Sequence, residues 1–130
     1  MNANERVHYW LDLSEYDLAT AKVMLEGERY LYVGFMCHQC IEKILKAAFC
    51  KWKEEQVPYT HSLLKLAKEC GLYEKFSEEQ KDILDKLDPL NIEARYPSYK
   101  EKLLESLTDE TCAALIRETE GFQRWLRNQL

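Results

Sequence analysis

Apolar residues recur along the chain at steps of three and four. Between Glu5 and Glu26, the residues Val7, Trp10, Leu11, Leu18, Ala21 and Leu25 share one face of a helix, and Gly27 supplies its stop. The pattern predicts a second helix from Arg29 to Glu54, about 39 Å long at 1.5 Å per residue, with Pro58 marking the break beyond it. A shorter helix is predicted from His61 to Cys70, ended by Gly71. Ser77 and Gln80 read as a capping box, each side chain satisfying a free backbone amide of the other, and open a helix to about Leu87. The stretch "NIEARYPSYKE" that follows Pro89 reads as irregular, because Pro97 pushes Tyr96 out of helical space. Thr108 opens a last helix with Cys112, Leu115, Ile116, Phe122 and Leu126 on one face. No segment alternates with period two. The expected fold is all-α, an up-and-down bundle of about four to five helices in a single domain spanning residues 1–130.

Composition agrees with that class. Only four glycines and three prolines interrupt 130 residues, too few for a chain of short strands and turns. The net charge of -5 argues against a broad electrostatic grip on nucleic acid, which needs clustered Lys and Arg. A local basic cleft is still allowed. The N-terminus "MNANERVHYW" has no signal pattern, and no apolar run could span a bilayer. Without such a signal, the five cysteines read as free thiols of a cytoplasmic protein.

The stretch "MCHQCIEKILKA" holds a Cys-x-x-Cys pair. On a helical wheel, Cys37 groups with Ile41, Ile44, Leu45, Ala48 and Trp52, with Cys40 at the margin, so both cysteines lean toward the core. Structural zinc needs four ligands, usually two such pairs, and Cys50, Cys70 and Cys112 stand alone. A redox pair wants a helix N-terminus after a strand. Core packing is the reading taken. Trp10, Trp52 and Trp125 are likewise read as core or interface.

On the other side of the same helix, Gln39, Glu42, Lys43 and Lys46 form a polar stripe. The pattern favours a solvated face with a Glu42–Lys46 pair of ~0.3 to 0.5 kcal/mol. Bordered by Phe35 and Met36, the stripe could instead line a cleft or a subunit interface.

The words around that stripe carry a resemblance. "GFMCHQCIEKILKA" resembles the signature helix of HEPN domains, whose approximate pattern is aromatic-x-x-x-Gln-x-x-Glu-Lys-x-x-Lys-Ala. "YTHSLLKL", residues 59–66, looks like the family's Thr-His-x-Leu segment, and "EARYPSY", residues 93–99, like its Ala-Arg-Tyr-Pro segment. The opening helix and "ERYLYVGF" also fit, so the resemblance spans most of the chain. It implies a bundle of about five helices, commonly homodimeric, and a minimal nucleotidyltransferase as frequent partner, often in a toxin–antitoxin pair. The family name carries a proposal of nucleotide binding. Many members are metal-independent ribonucleases that use an Arg followed after four to six residues by His.

That nuclease motif is absent here. The histidines are His8, His38 and His61, and no arginine lies at the required distance before any of them. Arg95 has no histidine downstream. Lys100 stands near where one would be, and a lysine charged at neutral pH holds a phosphate more readily than it accepts a proton.

The candidate nucleotide or phosphate ligands are Lys43, Lys46, His61, Arg95 and Tyr96, supported by Gln39 and Glu42. Arg95 would fork onto a phosphate while Tyr96 stacks on a base. Alternatively, Arg95 would pair with Glu42 and fix the irregular segment to the second helix. His61 would act as a base or phosphate contact, or simply bond a neighbouring carbonyl or carboxylate. The reading taken is a non-nucleolytic binding module without metal or cofactor, homodimeric, with a nucleotidyltransferase partner and a nucleotide or RNA ligand. The alternative is a ribonuclease toxin with an altered site of Arg95, His61 and Lys100.

Overall fold

The computed structural model describes the backbone of residues 1–93 and 97–130 and the side chains of 1–91, 101, 102 and 104–130. Helix α1 (Ala3–Glu26) starts where the Asn2 carboxamide oxygen accepts the Glu5 amide at 2.9 Å, a side-chain cap for an otherwise free donor. Helix α2 (Tyr30–Trp52) follows after a three-residue turn. Then come α3 (Leu63–Glu69), a 3-10 turn at Tyr73–Lys75, α4 (Glu78–Leu87), the four-residue α5 (Leu90–Glu93), α6 (Pro97–Ser106) and α7 (Asp109–Asn128).

The described residues are helical throughout their regular structure, as expected for an all-α chain. They hold six helices of seven residues or more, against the four to five expected. The addition is α6, in the stretch read as irregular. Pro97 is its first residue, where a missing N–H costs nothing and the fixed φ suits a helix. Proline thus opens a helix there. Both capping boxes exist, Ser77 with Gln80 and Thr108 with Thr111.

Fifteen of the 23 residues of α2 are buried, so α2 is the axis of the bundle. It packs against every other α-helix. Helix α1 runs antiparallel along it, with Ser14 beside Cys40 and Trp10 beside Lys46. Helix α7 closes the other side through Cys112, Leu115, Phe122 and Leu126. One buried polar chain ties the three together: Gln123 Nε2 donates to Ser14 Oγ at 2.9 Å, and that hydroxyl donates to the Cys40 carbonyl at 2.7 Å. Near its start, α2 passes so close to α5 that a Cβ on Gly34 would lie 3.1 Å from Leu90 Cδ1.

Cys37 and Cys40 are fully buried, as the core-packing reading requires. Trp52 is not: it is 44% exposed, at the last residue of α2. No helix among the described residues is long and apolar enough to cross a membrane.

Candidate functional site

The polar stripe of α2 is not a solvated face. Glu42 is 1% and Lys46 8% exposed, because α1 and the segment leading into α3 lie over them. Buried charges must be paired, and these are. Lys46 Nζ donates to Glu42 Oε2 at 3.0 Å, and His61 Nδ1 donates to Glu42 Oε1 at 3.0 Å. The Lys46 ammonium also sits 5.2 Å from the ring centroid of Trp10, so one face of the cation meets π-density rather than water.

Burial pushes the Glu42 carboxyl up. The charge and hydrogen bond of Lys46, joined by the hydrogen bond from His61, outweigh that and hold it below its usual value. Glu42 is therefore an anion at neutral pH. It holds a hydrogen of His61 on Nδ1, and among the described residues no hydrogen bond reaches Nε2 of the half-exposed ring.

His38, one turn before Glu42, is completely buried. Burial pushes its imidazole down to about 4, against the opposing pull of Glu42 and Asp88. The neutral ring donates from Nε2 to the His61 carbonyl at 3.1 Å. Among the described residues its Nδ1 lone pair has no hydrogen bond and lies 3.9 Å from Glu42 Oε1. The segment entering α3 is thus held to α2 through both the side chain and the backbone of His61. Asp88 completes the strap by accepting the Leu63 amide at 2.8 Å, one of the free donors at the start of α3.

The other half of the stripe turns elsewhere. Lys43 Nζ donates to Asp17 of α1 at 3.1 Å and to Gln39 Oε1 at 2.9 Å. Gln39 Nε2 in turn donates to Asn91, which is buried at the head of α5.

Of the residues singled out from sequence, Glu42, Lys46 and His61 share one knot, and Gln39 and Lys43 share a second. His61 precedes the Ser62 cap of α3 and bonds a carboxylate. Arg95 and Tyr96 lie outside the described residues, as does the side chain of Lys100, so the pairing of Arg95 with Glu42 does too. Both Glu42 oxygens already carry a partner.

Lys46 also lines an open cleft of about 510 Å³ between the first turns of α1 and the segment after α2. Arg6, Tyr9, Trp10, Pro58 and Tyr59 line it as well, with Glu54 and Glu55 at one side. Arg6 and Tyr9 escaped the sequence reading, and Tyr59 entered it only as the first residue of the Thr-His-x-Leu segment. Nothing in their local pattern marks them, since only the α1–α2 pairing brings residues so far apart in sequence to one place.

A family model described as HEPN domain matches residues 7–129. No curated protein matches the chain. Among solved structures, the crystal structure of TT1696 from Thermus thermophilus superposes with a TM-score of 0.82 at 21% identity, over 100% of both chains. That likeness concerns the fold.

Proposed function

The chain belongs to the HEPN domain family, and from that membership we propose that it is a non-nucleolytic binding module. In this reading it pairs with itself, docks on a nucleotidyltransferase partner and holds a nucleotide phosphate at the Lys46–His61 end of its signature helix. The observation that carries the proposal is the sharing of Glu42. One buried carboxylate holds a lysine and a half-exposed histidine at 3.0 Å each, beside a cleft with aromatic walls. Lys46 is neutralised by Glu42, so the positive charge a bound phosphate meets in the cleft would come from Arg6, a fork suited to phosphate. Stacking on Tyr59 would add the sequence-tolerant contact that bases favour.

Calorimetric titration with ATP, GTP and a short RNA tests this. Saturable heat with one of them, lost in His61→Ala and in Arg95→Ala, is the expected result. Unchanged affinity in both variants, or no heat with any ligand, would overturn the nucleotide part. Light scattering on the eluting peak tests the dimer separately.

A second reading is favoured by one contact. A histidine whose Nδ1 is anchored on a carboxylate and whose Nε2 has no partner among the described residues is arranged as a general base. On that view the chain is a metal-independent ribonuclease with an altered site. Cleavage of a labelled RNA in the presence of a chelator, abolished in His61→Ala, would favour it.

A further inference from the structure

The outer side of α1 carries a second apolar row that the bundle does not use. Tyr9, Leu13, Tyr16, Thr20 and Val23 follow one another at steps of four, three, four and three, the 3.5-residue repeat of a helix-pairing seam. The core uses the other side of the helix, through Leu11, Ser14, Leu18 and Ala21. Tyr9, Tyr16 and Val23 are 48%, 72% and 60% exposed, with the half-buried Leu13 and Thr20 between them. Single exposed apolar side chains are ordinary on any surface. Three exposed ones in register, with half-buried Leu13 and Thr20 between them and spread along roughly 21 Å of helix, are not scatter.

What would cover this row is indicated by charge. Along one flank run Glu5, Asp12 and Glu26, all exposed and all in one file of heptad spacing with Ala19 between them. Among the described residues, neither Asp12 nor Glu26 has an ion-pair partner within the chain. In a paired helix such flanking positions face the partner's own flank and select its charge. A second copy laid antiparallel on the row would set this acidic file against itself, as a two-fold contact requires. A lysine- or arginine-flanked helix would neutralise it.

We propose that the Tyr9–Val23 face of α1 is the docking site for an amphipathic helix of a protein partner, one whose apolar stripe is flanked by Lys or Arg. This rests on the reading of the chain as a binding module; Tyr9 also lines the candidate nucleotide cleft, whereas Leu13, Tyr16, Thr20 and Val23 do not.

The probe is a labelled three-heptad synthetic helix with Leu at the a and d positions and Lys at the flanking ones, compared with the same peptide carrying Glu at those flanks. Fluorescence anisotropy with the full chain reads the binding. The Lys-flanked peptide is expected to bind saturably and the Glu-flanked one not to. Tyr16→Asp and Asp12→Lys should each weaken binding about tenfold or more, with thermal melts unchanged because both side chains are exposed.

Absence of binding to the Lys-flanked peptide, or binding indifferent to Tyr16→Asp, would overturn the proposal. So would rapid disulfide-linked dimers of Tyr16→Cys, which would place a second copy on this face. ATP or RNA heat measured on the same variants separates the two questions. A Tyr16→Asp chain that keeps its nucleotide heat and loses the peptide isolates the docking face.

Discussion

His61 is bonded to Glu42 across 3.0 Å, and that contact joins the start of α3 to the middle of α2. The same carboxylate neutralises Lys46, which is almost out of reach of water. Removing it leaves a buried ammonium whose remaining partner among the described residues is a tryptophan face. Glu42→Ala is therefore expected to lose about 3 to 5 kcal/mol, the usual cost of breaking a buried pair from one side. Glu42→Leu combined with Lys46→Met should recover most of that loss, since no charge is then stranded. Urea denaturation of the single and double variants measures both.

Acid should act through the same knot. The folded value of His38 lies near 4, below the roughly 6.5 of an unfolded histidine. Between those limits the unfolded chain takes up a proton that the native chain refuses. Stability is thus fully present above about pH 6.5 and falls as pH drops toward about 4, by roughly 3 kcal/mol. Glu42, also held low, adds a further loss below its unfolded value, in the same direction. Denaturation midpoints from pH 7 to pH 4 should show the decline, and His38→Gln should flatten its upper part. An unchanged slope in His38→Gln would assign the effect to another group.

Much of this was legible in the sequence, and the reason differs from residue to residue. Ser77, Gln80 and Thr108 announce helix starts because a cap is a local bond, complete within four residues. Cys37 and Cys40 could be assigned to the core because the helical wheel of α2 is local too. The same wheel misplaced Glu42 and Lys46 on a solvated face. A wheel distinguishes polar from apolar directions, but it cannot register that α1 covers the polar one. Pro97 misled for another reason: its restriction falls on the residue before it, and it says nothing against a helix after it. Tyr16 and Val23 lie off the apolar face that Val7, Trp10, Leu11, Leu18, Ala21 and Leu25 mark in the sequence, and the packed bundle leaves both exposed.

Among the described residues, two helix ends form Schellman turns and make a controlled comparison. At the end of α1, the Arg29 amide donates to the Met24 carbonyl at 2.8 Å and the Glu28 amide to the Leu25 carbonyl at 3.0 Å. After α3, the Leu72 amide donates to Ala67 at 3.2 Å and the Gly71 amide to Lys68 at 3.1 Å. The left-handed position is Gly71 in the second turn, at φ 81, and Glu28 in the first, at φ 59. Gly27 sits one residue early, at φ -84, so the glycine expected to stop α1 is not the one that bends the chain. Glu28→Gly should raise stability by about 0.5 to 1 kcal/mol, and Gly71→Ala should lower it by about 1 to 2 kcal/mol. Thermal or urea midpoints check both signs.

The five cysteines give the last prediction. All are free and buried. Burial pushes the Cys37 thiol up to about 12 and Cys112 to about 11, and it raises Cys40, Cys50 and Cys70 as well. Only the thiolate attacks a disulfide or binds a soft metal, and at pH 7 these groups stay protonated. A thiol-disulfide reagent such as Ellman's should therefore modify the native chain slowly, with a rate that tracks opening of the bundle, and should titrate all five thiols once urea unfolds it. Denaturant concentrations below the global midpoint should barely accelerate Cys37 and Cys40, which sit in the α1–α2–α7 core and are exposed only by complete opening. Fast native labelling of either one would mean that α1 leaves α2 far more readily than their packing implies.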